Sequence, residues 1–501
     1  MIKTNNPIIW ADYPDPDVIR VDDTYYMIST SMHMFPGAQI LRSFDLLHWE
    51  HVCYVYNALG DTPSQRLDAG HIYGKGMWAS TLRYHAGQYH VIFACNDTKK
   101  SHHFTAESAY GPWTRHEMKG MYYDCSLLFD DDGHVYIAHG HKEIRITEME
   151  EDLSGPKAGG IDRIALVDTG NVRLGFEGTH FYKIDGRYCL FCIHWPNDGH
   201  ARRTEVCYVA ESLTGEFTGG TVVDDDLDFH NMGVAQGGVV DTPDGQWYMM
   251  LFQDHGAVGR IPVLVPMSFK NGFPLVKKIP DFVRTKSTHP EHAYMPLYTS
   301  DTLRTAPLNP LWQWNHEPHM ELISISQRGL RITTDRVVKG LEQAVNTLTQ
   351  RTFGPCCEAI ISIDAESMHV GDYAGICALQ GCYCQLAITR SEEGTFLSLI
   401  SRQATYAPYA IAPSTEPILE RAAIKLHQTQ ITLKVRFDFT NLADTAVFSY
   451  LCDGQWLTVG TPHHLVYRLD HFMGCRIGLF CYATETVGGS AVFSDFQYVL
   501  S

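Results

Sequence analysis

VIRVDDTYYMIS, residues 18–29, reads as an apolar strand, a polar turn and an aromatic strand, and its shape returns four more times. The repeats are LRYHAGQYHVIF (82–93), LLFDDDGHVYIA (127–138), HFYKIDGRYCLF (180–191) and VVDTPDGQWYMM (239–250). Each has Gly or Asp at the turn and aromatic or β-branched residues after it, which is the signal of a β-hairpin. A second unit follows most of them: LRSFDLLHWEHV (41–52), TAESAYGPWTRH (105–116) and VAESLTGEFTGG (209–220). These read as an outer strand, a tight turn and another strand. The turn positions Asp23, Gly87, Gly133, Gly186 and Gly245 are spaced by 64, 46, 53 and 59 residues. Repeats of roughly 40 to 50 residues with four strands each mark a β-propeller. Five blades fill about residues 8 to 280, with no long helical periodicity.

In a propeller the innermost strand of each blade lines the central channel, so equivalent positions form a ring. Nine residues before the turn glycines of blades two to five stand Trp78, Asp124, Glu177 and Gln236. Blade one has a shorter turn, and eight residues before Asp23 stands Asp15, within ADYPDPDVIR (11–20). Pro16 biases Asp15 toward an extended conformation. Three carboxylates, one Trp and one Gln make a poor structural cap, because converging like charges cost stability unless something uses them. Asp12 and Asp17 fall off this ring and are expected at a turn or on the surface.

Length and charge bound the rest. At 501 residues the chain exceeds a single core. A net charge of −18 argues against nucleic acid and anionic membranes as partners. MIKTNNPIIWADYPD lacks the apolar core of a signal peptide, and no apolar run approaches the roughly 20 residues of a membrane span. Fourteen cysteines then read as reduced thiols, and the expected location is the cytoplasm. Cys189 and Cys192 form a CxxC inside a strand, where an offset of three puts them on opposite faces, so zinc is not expected. The acidic runs at 130–132 and 224–226 lack calcium-ligand spacing and read as turns. His139 and His141 read as satisfied strand histidines.

Glycosidic cleavage needs one carboxylic acid to protonate the leaving oxygen and one carboxylate to activate water or attack the sugar. A third acid nearby raises the donor's pKa and orients it. Phe35, Trp78 and Tyr123 are the aromatic candidates for a sugar platform, and Arg260 can hold hydroxyls and offset the negative charge. YPDPDVIR, YYMISTS, MFPGAQILRSFDLLHWE, GKGMWAS, YYDCSLLFDDDG, EGTHFYKIDG and GGVVDTPDGQWY together resemble glycoside hydrolase family 43. The resemblance covers nearly the whole propeller and implies an inverting enzyme acting on xylans, arabinoxylans or arabinans. It implies Asp15 as general base, Asp124 as the orienting and pKa-tuning acid, Glu177 as general acid, and Arg260 in the deepest sugar subsite. Many members carry a histidine near a channel cation or water, often calcium, where this chain has Gln236. Glutamine is a weaker, neutral ligand, so a structural calcium ion stays open, and the chemistry itself requires no cofactor.

After blade five, residues 277–300 lose periodicity and read as a surface linker. Alternating strands then return, from HMELIS and GLRITT to RIGLFCY and AVFSDFQYV, which argues a β-sandwich. LWQWNHEP (311–318) and the closing GLFCYATETVGGSAVFSDFQY resemble the concanavalin-like C-terminal domain of family 43 β-xylosidases. The expected architecture is all-β: a propeller over residues 1–297 and a sandwich over 298–501, the latter acting as a sugar-binding module or, the favoured reading, as a wall that closes the pocket. The expected function is exo-acting release of xylose or arabinose from the non-reducing end of small xylo- or arabinoxylo-oligosaccharides. The alternatives are an endo-arabinanase, which wants an open groove, and a non-catalytic glycan-binding propeller, which is expected to lack one of the carboxylates. A fructoside-cleaving propeller would be retaining, with a different nucleophile motif. A homo-oligomer is compatible with the sequence.

Overall fold

The computed structural model describes residues 2–199, 202–403, 411–412 and 416–500. Five four-stranded sheets follow one another along the chain, each with its strands hydrogen-bonded in sequence order. Their innermost strands are Asp17–Val21, Met77–His85, Ser126–Phe129, Val172–Ile184 and Ala235–Asp241. Hairpin turns fall where the repeat puts them: His85 pairs with Gln88, Phe129 with Val135, Ile184 with Arg187 and Asp241 with Trp247. Gly87, Gly133, Gly186 and Gly245 all have φ between 75° and 85°, a left-handed conformation that glycine adopts without steric cost. Among the described residues there is no α-helix, only short 3₁₀ turns, and no helix long and apolar enough to cross a membrane.

The five inner strands pack side by side, and blade five meets blade one where the Gly238 N–H donates to the Pro16 carbonyl at 2.9 Å. A second closure is antiparallel pairing of Ile2–Asn5 with Phe282–Thr285. That strand lies in the stretch read as an aperiodic linker. It is too short for alternation to show, and its partner sits at the other end of the chain.

Two sheets form the C-terminal sandwich. One contains Asp372–Leu379, Arg476–Ala483, Leu348–Arg351 and Gln313–Asn315, and then continues into Met34–Phe35 of the propeller. Backbone pairing of Trp314 with Phe35 and of Asn315 with Met34 therefore runs one sheet across both domains. The apolar core is continuous as well, from Tyr13, Val258 and Ile261 into Phe353, Leu479 and Phe493. Arg351 lies 4.1 Å over the Tyr13 ring and donates to the Asp12 carbonyl and to Gln39 Oε1. Such a buried, hydrogen-bonded seam holds the two domains in fixed register.

All fourteen cysteines are free thiols. Cys189 and Cys192 lie in different apolar clusters on opposite faces of their strand, as the spacing requires. Asp130 accepts from Lys183 and Tyr188, and Asp224 and Asp226 pair with Arg202, so both acidic runs are satisfied locally. Asp12 and Asp17 are not surface residues: they are 3% and 0% exposed. Asp17 accepts from Arg83 and from the Leu82 N–H, both at 2.8 Å, which stitches blade one to blade two. Partners that distant in sequence leave no local signature beside a proline-flanked aspartate.

Candidate active site

Three of the inner strands are bulged at the ring. Pairing register shifts between Met77 and Ser80, between Glu177 and His180, and between Ala235 and Gly238. A bulge leaves a residue unpaired and re-aims its side chain. Asp15, Asp124 and Gln236 have φ of 51°, 47° and 56°, a left-handed conformation that is strained for residues other than glycine and concentrates at functional sites. Asp15 is thus not extended, as Pro16 suggested. The Pro14 carbonyl accepts from both the Thr30 N–H and Ser29 Oγ and fixes the turn, and aspartate tolerates the left-handed region.

These side chains converge on one narrow cavity at the end of the channel. Asp15, Trp78, Tyr123, Asp124, Glu177, Gln236 and Arg260 line it, together with Met32, Ala79 and Phe472. Phe35 does not. Its ring is fully buried against Tyr56, and its backbone is taken up by the sheet that joins the domains. An apolar residue before a proline has the same sequence signature whether it faces a channel or a core. Phe472, which the sequence did not single out, comes from a sandwich loop. It packs edge-on to Trp78 with ring centroids 5.8 Å apart and lies 4.5 Å under the Arg260 guanidinium. The sandwich therefore supplies one wall of the cavity.

The electrostatics are compact. Asp15 accepts from Arg260 Nη1 through Oδ1 and from Thr30 Oγ1 through Oδ2, both at 2.7 Å. Arg260 is buried, and its Nε and Nη2 make no hydrogen bond among the described residues, which leaves donors for a ligand. Asp124 accepts from the Gly178 N–H at 3.1 Å. Burial, then the charges of Glu177 and Asp15, push its carboxyl well above the usual carboxylate range. Glu177 is more accessible and takes two donors on Oε2: Tyr123 Oη at 3.2 Å and the His141 ring at 2.8 Å. Gly178 has φ of 58°, and a Cβ there would lie 2.4 Å from the Gln236 side chain, so glycine is needed for that close approach.

At the channel position where the resemblance implies a cation beside a histidine, this chain has Gln236. Gln236 offers one neutral oxygen, and its N–H donates to Glu205 Oε2 at 2.7 Å. Burial raises Glu205 to about 8, so it favours the neutral acid, and Asp17 pairs with Arg83 through Oδ2, while its Oδ1 has no hydrogen bond among the described residues. No cluster of three or more His, Cys, Asp or Glu side chains suited to a metal occurs among the described residues.

Paired carboxyls of unlike environment, a buried guanidinium with free donors and aromatic walls at the end of a five-bladed channel are the groups that glycosidic cleavage requires. Residues 4–274 match the model for glycosyl hydrolases family 43, and residues 300–499 match the β-xylosidase C-terminal concanavalin A-like domain. The chain belongs to glycosyl hydrolase family 43 and is a glycosidase. It is 28% identical to a β-xylosidase of Formosa agariphila over 98% of this chain and 90% of that one. It is 26% identical to a non-reducing end α-L-arabinofuranosidase of Bacteroides ovatus over 64% of this chain and 63% of that one. Among solved structures, a bifunctional GH43-CE protein of Bacteroides eggerthii superposes with a TM-score of 0.90 and 37% identity. That alignment covers 99% of this chain, which spans 64% of the larger protein.

Proposed function

We propose that the protein is an inverting, exo-acting glycosidase that removes xylose or arabinose from the non-reducing end of small xylo- or arabinoxylo-oligosaccharides. The observation that carries this reading is the convergence of Asp15, Asp124 and Glu177 on a single cavity with Phe472 as one wall. In it Asp15, oriented by Arg260 and Thr30, takes a proton from the water that attacks the anomeric carbon. Glu177 protonates the glycosidic oxygen as the C–O bond breaks. Asp124, buried beside it, has its own carboxyl pushed up by burial, Glu177 and Asp15, so the cluster resists losing all of its protons. The free donors of Arg260 and the Nε1–H of Trp78 take sugar hydroxyls, while Trp78, Tyr123 and Phe472 supply faces for the ring.

A wall at one end of the cavity supports exo action, since a polymer then enters only by its tip. The names of the relatives, β-xylosidase and non-reducing end α-L-arabinofuranosidase, supply the two sugars. Both present similar hydroxyls to one small pocket, and its apolar walls, Trp78, Tyr123 and Phe472, discriminate such near-isosteres weakly. Chromatography of a linear xylo-oligosaccharide digest tests the reading. Monosaccharide from the first time point supports it, and early accumulation of mid-length fragments overturns it.

A further inference from the structure

HGH at 139–141 sits on the hairpin tip of blade three, and its two histidines have different tasks. His139 Nε2 meets Thr147 Oγ1 at 3.1 Å within its own blade. His141 instead reaches blade four, where its Nδ1 lies 2.8 Å from Glu177 Oε2. Backbone bonds hold the tip on both sides. The Gly140 N–H donates to the Tyr123 carbonyl at 3.0 Å, the Lys142 N–H to the Phe176 carbonyl at 2.8 Å, and the Asp168 N–H to the Lys142 carbonyl at 2.8 Å. Gly140 has φ of 131°, and a Cβ there would sit 2.1 Å from the Glu143 carbonyl oxygen, so only glycine lets the tip close. Tyr123 Oη donates to the same Oε2, whereas Glu177 Oε1 receives no hydrogen bond among the described residues.

We infer that His141 is a positioning residue for Glu177: it fixes the carboxyl through Oε2, leaves Oε1 for the leaving oxygen, and shares one proton with the acid. This rests on Glu177 being the general acid. As Oε1–H passes its proton to the departing oxygen, the new carboxylate keeps its two donors on Oε2, so the carboxyl need not rotate. The imidazole side chain is 44% exposed and exchanges protons with solvent. The groups facing it are Glu177 and Tyr123 across the seam, Asp168 from the preceding loop, and Lys142 and Glu143 at its own turn. Its hydrogen bond to Glu177 raises its pKa, against the opposing effects of burial and Lys142. The pair therefore keeps its last proton to higher pH than a lone carboxyl would.

Two variants test this on kcat/KM against pH, with a poor-leaving-group xyloside and an activated aryl xyloside. His141→Gln keeps an N–H donor for Oε2 but cannot titrate; His141→Ala removes both functions. For the poor leaving group, His141→Gln is expected to move the alkaline limb to lower pH by about one unit, with the acidic plateau within severalfold of the parent. His141→Ala should show the same shift and at least a tenfold lower plateau. The activated substrate should show little shift in either variant. An unshifted limb in both variants overturns the inference, as does an equal loss on both substrates at every pH. If Glu177→Gln impairs both substrates equally, the general-acid reading itself fails; if it does not and the His141→Gln limb stays in place, only the role of His141 falls.

Discussion

Asp12 and Gly474 join the propeller to the sandwich through a buried carboxylate: Oδ2 accepts from the Gly474 N–H at 2.8 Å, while Oδ1 accepts from the Arg260 N–H at 2.8 Å. One side chain thus fixes the strand that starts at Arg260 and the loop that carries Phe472. Asn at this position presents one acceptor and one NH₂ group, so one of the two amides loses its partner. An unsatisfied buried donor costs about 1–3 kcal/mol. Asp12→Asn should lower the melting temperature and raise KM more than it lowers kcat, because the residue touches the wall and the anchor rather than the reacting atoms. Thermal melts and steady-state kinetics on an aryl xyloside check both effects. An unchanged KM would show that the seam does not shape the pocket.

Phe472→Ala removes the face against Trp78 and Arg260. Losing a half-buried aromatic contact of about 1–1.5 kcal/mol corresponds to roughly a fivefold to tenfold drop in kcat/KM. The opened end should also let longer products appear early in an oligosaccharide digest. Chromatographic time courses on parent and variant read out both, and an identical product pattern would remove Phe472 from the exo determinants.

Glu177→Gln and Asp15→Asn should each lower turnover by about 10²- to 10⁴-fold with the fold intact. The two differ by leaving group. Activated aryl glycosides need little protonation, so Glu177→Gln should spare them, whereas Asp15→Asn should impair every substrate alike. A ratio of rates on activated and unactivated substrates that is the same in both variants would contradict the division of roles.

Asp124→Asn should stabilise the protein while abolishing most activity. The carboxyl of Asp124 is held above its ordinary value of 3.8 by burial, Glu177 and Asp15, so the folded state binds that proton more tightly than the unfolded chain. Its favourable contribution is complete below pH 3.8 and is lost as pH rises through the folded-state value. Asn has no charge to bury and can still accept from the Gly178 N–H. The melting-temperature gain of the variant should therefore grow with pH above 3.8 and vanish in acid. A gain that is flat with pH would mean the carboxyl is not strained by its neighbours.

The ring was legible because each turn glycine anchors its hairpin, and nine residues back along the inner strand reaches the same height in every blade. Trp78, Asp124, Glu177 and Gln236 all emerged from that count, and all line the cavity. What alternation does not encode is a turn fixed by bonds from the following strand, so the left-handed backbone at Asp15 was unforeseen. Contacts between distant segments were equally invisible. Asp12 looked like a turn residue because Gly474 lies near the other end of the chain, and Phe472 looked like any apolar residue in a loop. His141 read as a strand histidine because its partner, Glu177, belongs to the next blade.

Inversion demands room for a water between the base and the bond it attacks, with carboxyl groups roughly 6.5 to 9.5 Å apart, whereas a nucleophilic carboxylate would sit closer to the acid. Proton NMR of the first sugar released from an aryl β-xyloside distinguishes the two before mutarotation sets in. With Asp15 as general base, α-xylose should appear first and the β-anomer only later. β-Xylose as the initial product would contradict the assignment, since it would require a covalent glycosyl-enzyme intermediate formed on a carboxylate of the ring.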